Sequence, residues 1–110
     1  MSFDIKLTSS FKRQLRPLLK RYWSLIEDLS TLEQDLKSNP QVGEPLGKDC
    51  YKVRMRIKAK QTGKSGSARV ITCVKVVDNQ IFLLSIYDKS DQASISTTEL
   101  TDLLEAAGLK

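Results

Sequence analysis

From Tyr51 to Lys58 the chain reads Tyr-Lys-Val-Arg-Met-Arg-Ile-Lys, with apolar and cationic side chains alternating at every step. Successive side chains of a strand point to opposite faces, so a period of two predicts a strand with one apolar and one cationic face. On the cationic face the charges recur about every 7 Å. Like charges so close repel one another, which marks a surface that something outside the fold uses. The surrounding segment sharpens the point. Residues 48–75 hold nine of the 18 lysines and arginines and one acid, Asp49, so they carry +8 in a chain of net charge +5. A polyanion is the first ligand to consider.

The other elements follow from periodicity and punctuation. Phe3, Ile5 and Leu7 alternate with Asp4 and Lys6 and predict a short first strand. Ser9 or Ser10 caps a helix through Phe11, Leu15, Leu18, Leu19 and Tyr22. Ser24 and Glu27 have the spacing of a capping box and open a second helix through Leu25, Ile26, Leu29, Leu32 and Leu36, stopped at Ser38-Asn39-Pro40. The apolar stripe from Phe11 to Leu36 steps by 4 and 3 throughout, which also fits one long coiled-coil helix. Pro17 and the internal capping box favour two helices folded as a hairpin. Residues 41–49, with Gly43, Pro45 and Gly47, read as a loop. Strands are expected over 50–59, 68–76 and 81–88, the last two joined by the tight turn Val77-Asp78-Asn79-Gln80. Ser96 and Glu99 repeat the capping-box spacing and open a last helix through Leu100, Leu103 and Leu104. The expected fold is α+β, a small antiparallel-rich sheet packed on an N-terminal helical hairpin in the order β-α-α-β-β-β-α. One domain over residues 1–110 is expected, because no linker divides the chain.

Strand phase then places the charges. With Val53, Met55 and Ile57 against the helices, Lys52, Arg54, Arg56 and Lys58 face away. Val70, Thr72 and Val74, with Phe82, Leu84 and Ile86, make the natural buried sets of the hairpin. The opposite, open face presents Arg69, Ile71, Cys73, Leu83, Ser85 and Tyr87, with Lys89 following at the strand end. That face gathers Lys52, Arg54, Arg69, Tyr87 and Lys89. Arg56, Lys58, Lys60 and Lys64 extend it as candidate contacts for a nucleic-acid backbone. Lys12, Arg13, Arg16, Lys20 and Arg21 add cations on the first helix, where no acid falls between Asp4 and Glu27. They suit a solvated helix face equally well.

Several function classes are excluded. The chain has no histidine, which removes Ser-His-Asp and Cys-His catalysis and the commonest zinc ligand. Acid–base chemistry must come from lysine, arginine, tyrosine or carboxylates, and neither a metal nor a cofactor is expected. Gly63-Lys64-Ser65 is the end of a phosphate-binding loop without its beginning, since position 58 is lysine and the segment joins two strands. No stretch approaches the ~20 apolar residues of a membrane span, and the N-terminus lacks an apolar leader. The chain is expected to stay in the cytoplasm, away from membranes, with Cys50 and Cys73 as reduced, buried thiols.

The ordered set of these segments resembles the RelE/ParE-type toxins of bacterial type II toxin–antitoxin systems. The resemblance covers nearly the whole chain. It is carried by the helical hairpin ending in Ser38-Asn39-Pro40, Cys50-Tyr51-Lys52-Val53-Arg54, the run from Gly63 through Arg69 to Ile71, and Leu84-Ser85-Ile86-Tyr87-Asp88-Lys89-Ser90. It is nearest to the RelE- and HigB-like toxins with a Gly-Lys-Ser-Gly insertion between two strands. That resemblance implies an endoribonuclease acting on mRNA in the ribosome and a cognate antitoxin that neutralises it. It implies catalytic roles for Lys52, Arg54, Arg69 and Lys89. Where the RelE branch carries a catalytic tyrosine this chain has Ile95, and Tyr87, on the same face as Lys89, is the candidate substitute. A ParE-like inhibitor of DNA gyrase and a non-catalytic nucleic-acid-binding module are the alternatives. The full basic set favours the nuclease.

Overall fold

The strand that the alternation predicts organises the molecule. The computed structural model describes residues 3–60 and 66–109. Its elements are β1 (Asp4–Leu7), α1 (Ser9–Arg21), α2 (Leu25–Ser38), β2 (Glu44–Gly47), β3 (Cys50–Arg56), a 3₁₀ turn (Lys58–Lys60), β4 (Ser67–Lys75), β5 (Gln80–Asp88) and α3 (Thr97–Ala106). The strands form one sheet in the order β1-β5-β4-β3-β2. β1 runs parallel to β5, and the other pairings are antiparallel.

The helical hairpin covers one face. Phe11, Leu18, Leu25, Leu32 and Leu36 pack there on Val53, Met55, Ile57 and Val70. Two helices rather than one follow from Tyr22, whose extended backbone ends α1. The capping box expected at Ser24 does not form, because Ser24 has helical dihedrals and its hydroxyl is engaged elsewhere. That hydroxyl donates to the Asp28 carboxylate at 2.7 Å and accepts the Ala59 N–H at 2.8 Å. Thr8, not Ser9 or Ser10, caps α1. At Ser96 the capping box forms in full.

Three expectations change. The loop over 41–49 contains β2, an edge strand whose Pro45 is tolerated because one of its sides is unpaired. Lys48 and Asp49, both with left-handed φ, make the two-residue turn into β3. The sheet face opposite the hairpin is not open, since Leu100 and Leu104 of α3 pack there on Cys50, Ile71, Cys73 and Leu84. β5 also changes phase. Ile71 pairs with Ser85 but Thr72 with Leu83, leaving Leu84 as the extra residue of a bulge. Ile81, Leu83 and Ile86 therefore face the hairpin, while Phe82, Leu84 and Tyr87 face α3. Phe82 and Leu84 thus reverse the expected assignment.

Beyond Leu83, β5 outruns the short β1. Gln14 of α1 fills that gap, its side-chain oxygen accepting the Ile86 N–H at 3.1 Å and the Ser85 hydroxyl at 2.8 Å.

Candidate functional site

Register brings the chemistry together. Arg54 stands opposite Arg69, and Arg69 opposite Tyr87, so the three form a rank across β3, β4 and β5. The Ile57 N–H donates to the Gly66 carbonyl at 3.0 Å, which brackets Arg56 and Ser67 as a non-hydrogen-bonded pair. With a period of two, Arg54 and Arg69 are another such pair, where opposed Cα atoms approach to about 4.5 Å. Two cations directly opposite destabilise a sheet. Neither arginine has an ion-pair partner among the described residues.

Their environments differ. Arg54 is exposed, whereas Arg69 is 9% exposed and lies along its strand, donating to Ser67 Oγ at 2.7 Å and to the Ala68 carbonyl at 3.3 Å. Arg69 is therefore not on an open surface, as the strand phase alone suggests. Together with Lys52 and the segment Val42-Gly43-Glu44 these arginines line a cleft of about 450 Å³. Gly43 makes that wall possible. Its φ is +106°, and a Cβ there would lie 2.6 Å from the Lys52 carbonyl oxygen, so only glycine lets the chain approach β3 so closely.

Glu44 is the residue that sequence reasoning missed. It stands opposite Lys52 in register, and its carboxylate lies 3.5 Å from the lysine amine. Among the described residues it is the one acid lining that cleft. A signal for it existed in an acid a few residues ahead of the basic strand, but it is legible only once β2 is recognised as a strand.

Tyr87 is 7% exposed, and its hydroxyl has no hydrogen-bond partner among the described residues. Burial pushes its phenol above the ordinary tyrosine value, against the pull of Arg69. It is thus held protonated, as a donor. Lys89 is exposed just past β5, with its backbone N–H on the Ser67 carbonyl at 3.2 Å. Arg56 is exposed on the same strand phase as Arg54.

The remaining cations part from this rank. β3 ends at Arg56, and Lys58 enters the 3₁₀ turn. There its N–H donates to the Asp28 carboxylate at 3.2 Å and its amine pairs with Glu27. Lys60 turns inward onto Asp88 at 2.8 Å, with its amine over the Tyr22 ring. Lys64 lies outside the described residues. Asp88 gathers more partners than Lys60. The Asp88 carboxylate, fully buried, also accepts Arg21 at 2.9 Å, the Tyr22 hydroxyl, and the Ser90 N–H and hydroxyl at 3.0 and 2.8 Å. Burial is the largest single influence on this carboxyl and opposes its charge. The bonds from Lys60, Tyr22 and Ser90 outweigh it and hold the group well below the usual carboxylate range. Asp88 thereby ties the end of β5, between Tyr87 and Lys89, to the end of α1 and to the 3₁₀ turn.

A five-stranded sheet backed by a helical hairpin, with arginines that have no ion-pair partner among the described residues ranked across its central strands, defines a small α+β protein with a cationic cleft. Its lineage is specific. The chain belongs to the RelE toxin family, since residues 9–109 match the family described as the RelE toxin of the RelE/RelB toxin–antitoxin system. A cognate antitoxin partner is implied by that membership. Among solved structures, the free E. coli toxin RelE carrying two arginine-to-alanine substitutions shares the fold. The TM-score is 0.61 at 19% identity, covering 98% of this chain and 96% of that one. No curated protein matches the chain in sequence. No helix among the described residues is long and apolar enough to cross a membrane.

Proposed function

We propose that this toxin is a ribosome-dependent mRNA endonuclease acting in the cytoplasm, with its centre in the cleft between β2, β3 and β4. The observation that carries the reading is the facing pair Arg54 and Arg69, set without counter-ions beside the Lys52–Glu44 pair. RNA supplies its own nucleophile, the 2′-hydroxyl, so the protein has to align it, remove its proton and stabilise the charge that develops on the phosphate. Arg54 and Arg69 hold the two non-bridging oxygens. The Glu44 carboxylate accepts the 2′-hydroxyl proton as the 2′-oxygen bonds to phosphorus. The bond to the 5′-oxygen then breaks, and the Lys52 ammonium protonates that oxygen. Tyr87, the register partner of Arg69 with its hydroxyl buried outside the cleft lining, backs that arginine from β5, while Arg56 and Lys89 contact flanking phosphates. The products are a 2′,3′-cyclic phosphate and a 5′-hydroxyl.

Primer extension on mRNA from cells expressing the toxin tests this. Discrete cuts within translated codons are expected. Arg54→Ala should slow cleavage by about 10²–10³, the effect of removing one oxyanion donor. Glu44→Gln should slow it by about 10²–10⁴, the span of general-base catalysis. Intact mRNA with gyrase-dependent DNA damage would overturn the reading in favour of a gyrase inhibitor. The antitoxin neutralises by laying acidic groups on the same cations, directly or after displacing α3. It therefore competes with the ribosome, and both associations weaken with salt.

A further inference from the structure

A thiol pair with no part in the cleft lies at the other end of β3 and β4. Cys50 and Cys73 are register partners, both free and both buried. The Val74 N–H donates to the Asp49 carbonyl at 2.9 Å, which brackets the two cysteines as a non-hydrogen-bonded pair. In that position opposed Cα atoms come to about 4.5 Å and the side chains meet. A disulfide requires Cα atoms about 4.4–6.8 Å apart, so the backbone already satisfies the bond. The Cys50 thiol donates to the Lys48 carbonyl at 3.4 Å. The neighbouring Cys50 thiol draws the Cys73 thiol below its ordinary value, burial opposes this, and Lys75 assists. A thiolate beside a thiol is the reduced state of a dithiol couple.

The pair lies beneath α3. Leu100 and Leu104 close over the pair. The Lys48 amine, from the turn preceding Cys50, donates to the Thr101 hydroxyl at 2.9 Å and tethers the helix there.

We propose that Cys50 and Cys73 form an oxidation site at which a hydroperoxide produces a cross-strand disulfide, with α3 as its lid. Cys73 sulfur attacks a peroxide oxygen, the O–O bond breaks, and water leaves with the proton of Cys50. Cys50 sulfur then attacks the sulfenyl sulfur, the S–S bond forms, the S–O bond breaks, and the displaced hydroxide leaves as a second water with the proton that Cys73 released on ionising. Two thiols and one hydrogen peroxide give one disulfide and two waters, the two electrons passing to the peroxide oxygens.

The reduced full-length protein is treated with hydrogen peroxide, denatured, alkylated and weighed intact. The expected product is two hydrogen atoms lighter, takes up no alkylating agent, and regains two alkylatable thiols after reduction. In Cys50→Ser, Cys73 has no resolving partner and should gain oxygen atoms instead. Thr101→Val removes the tether and should speed disulfide formation about threefold to tenfold, the effect of losing one hydrogen bond from the closed state. Oxygen gain at the wild-type cysteines, disulfide-linked dimers, or two thiols still alkylatable after peroxide would each overturn the site. An oxidation rate unchanged in Thr101→Val would overturn the lid.

Discussion

Replacing Asp88 by asparagine keeps the shape of the side chain and removes its charge from beneath two cations. Five donors converge on this carboxylate: Arg21, Lys60, the Tyr22 hydroxyl, and the N–H and hydroxyl of Ser90. Hydrogen bonds to charged groups contribute about 1.5–3 kcal/mol each, but summing five would overstate the loss. The Arg21 side chain is 46% exposed and regains water, so its share is that of a surface pair, about 0–1 kcal/mol. The Lys60 side chain is 15% exposed and loses the carboxylate that balances its charge, keeping the Ser90 hydroxyl and the Tyr22 ring. Breaking a buried pair in this way costs about 3–5 kcal/mol. For a domain of this size that lowers the melting temperature by about 12–25 °C. The pH dependence fixes the origin. An aspartate that titrates below its unfolded value of about 3.9 contributes fully above that pH and loses its contribution as pH falls through the folded value. Melting curves of wild type and Asp88→Asn should therefore lie far apart at neutral pH and converge in acid. A neutral-pH difference below about 4 °C, or a difference that persists unchanged in acid, would refute the reasoning.

Other outcomes follow from burial and backbone. Arg54 is exposed and faces another arginine, so Arg54→Ala should leave the melting temperature within about 3 °C while restoring colony formation by cells that express the toxin. Leu36 is fully buried, and Leu36→Ala should cost about 2–5 kcal/mol in urea titration. Leu29→Ala should cost less, because Leu29 only partly reaches the core. Gly43 and Gly47 both have left-handed φ, so alanine at either costs about 1–2 kcal/mol in strain. A Cβ at Gly47 meets nothing within 4 Å, while one at Gly43 strikes the Lys52 carbonyl, so Gly43→Ala alone should abolish mRNA cleavage.

The strand pattern made the middle of the sheet legible. Alternation over Tyr51–Lys58 placed Val53, Met55 and Ile57 in the core and aligned Lys52 with Arg54, because side-chain phase is local. What it could not convey was non-local. Glu44-Pro45-Leu46-Gly47 has loop composition and becomes a strand only because β3 offers it an edge. The bulge at Leu84 is decided by pairing with β4, and one extra residue reverses the faces of Phe82 and Leu84. Ser24 and Ser96 have identical capping-box spacing, yet Ser24 is drawn into contacts with Asp28 and Ala59 across the fold. Lys58 and Lys60 read as continuing a cationic row, but a 3₁₀ turn delivers them to Glu27 and Asp88. Of the site, the cations were visible in sequence order. The carboxylate beside them was not, since it depends on the pairing of β2.

The parallel pairing of β1 with β5 sets a timetable. Asp4 is the register partner of Gln80, and the Thr8 hydroxyl that caps α1 also donates to the Leu83 carbonyl. The first strand made by the ribosome thus waits for the last. α1 likewise finds Ser85, Ile86 and Asp88 only when β5 has emerged. Contacts of such long sequence separation form late, because the loop between them must first be closed. Arg54 and Arg69 meet within an antiparallel pair that is complete well before the N-terminal strand can join the sheet. The cationic rank is thus assembled ahead of the frame that fixes its outer end at Lys89. Synthesis of the toxin thus leaves an interval in which its cationic strands are paired and its fold is unfinished, and an acidic chain made nearby would find those cations already in place.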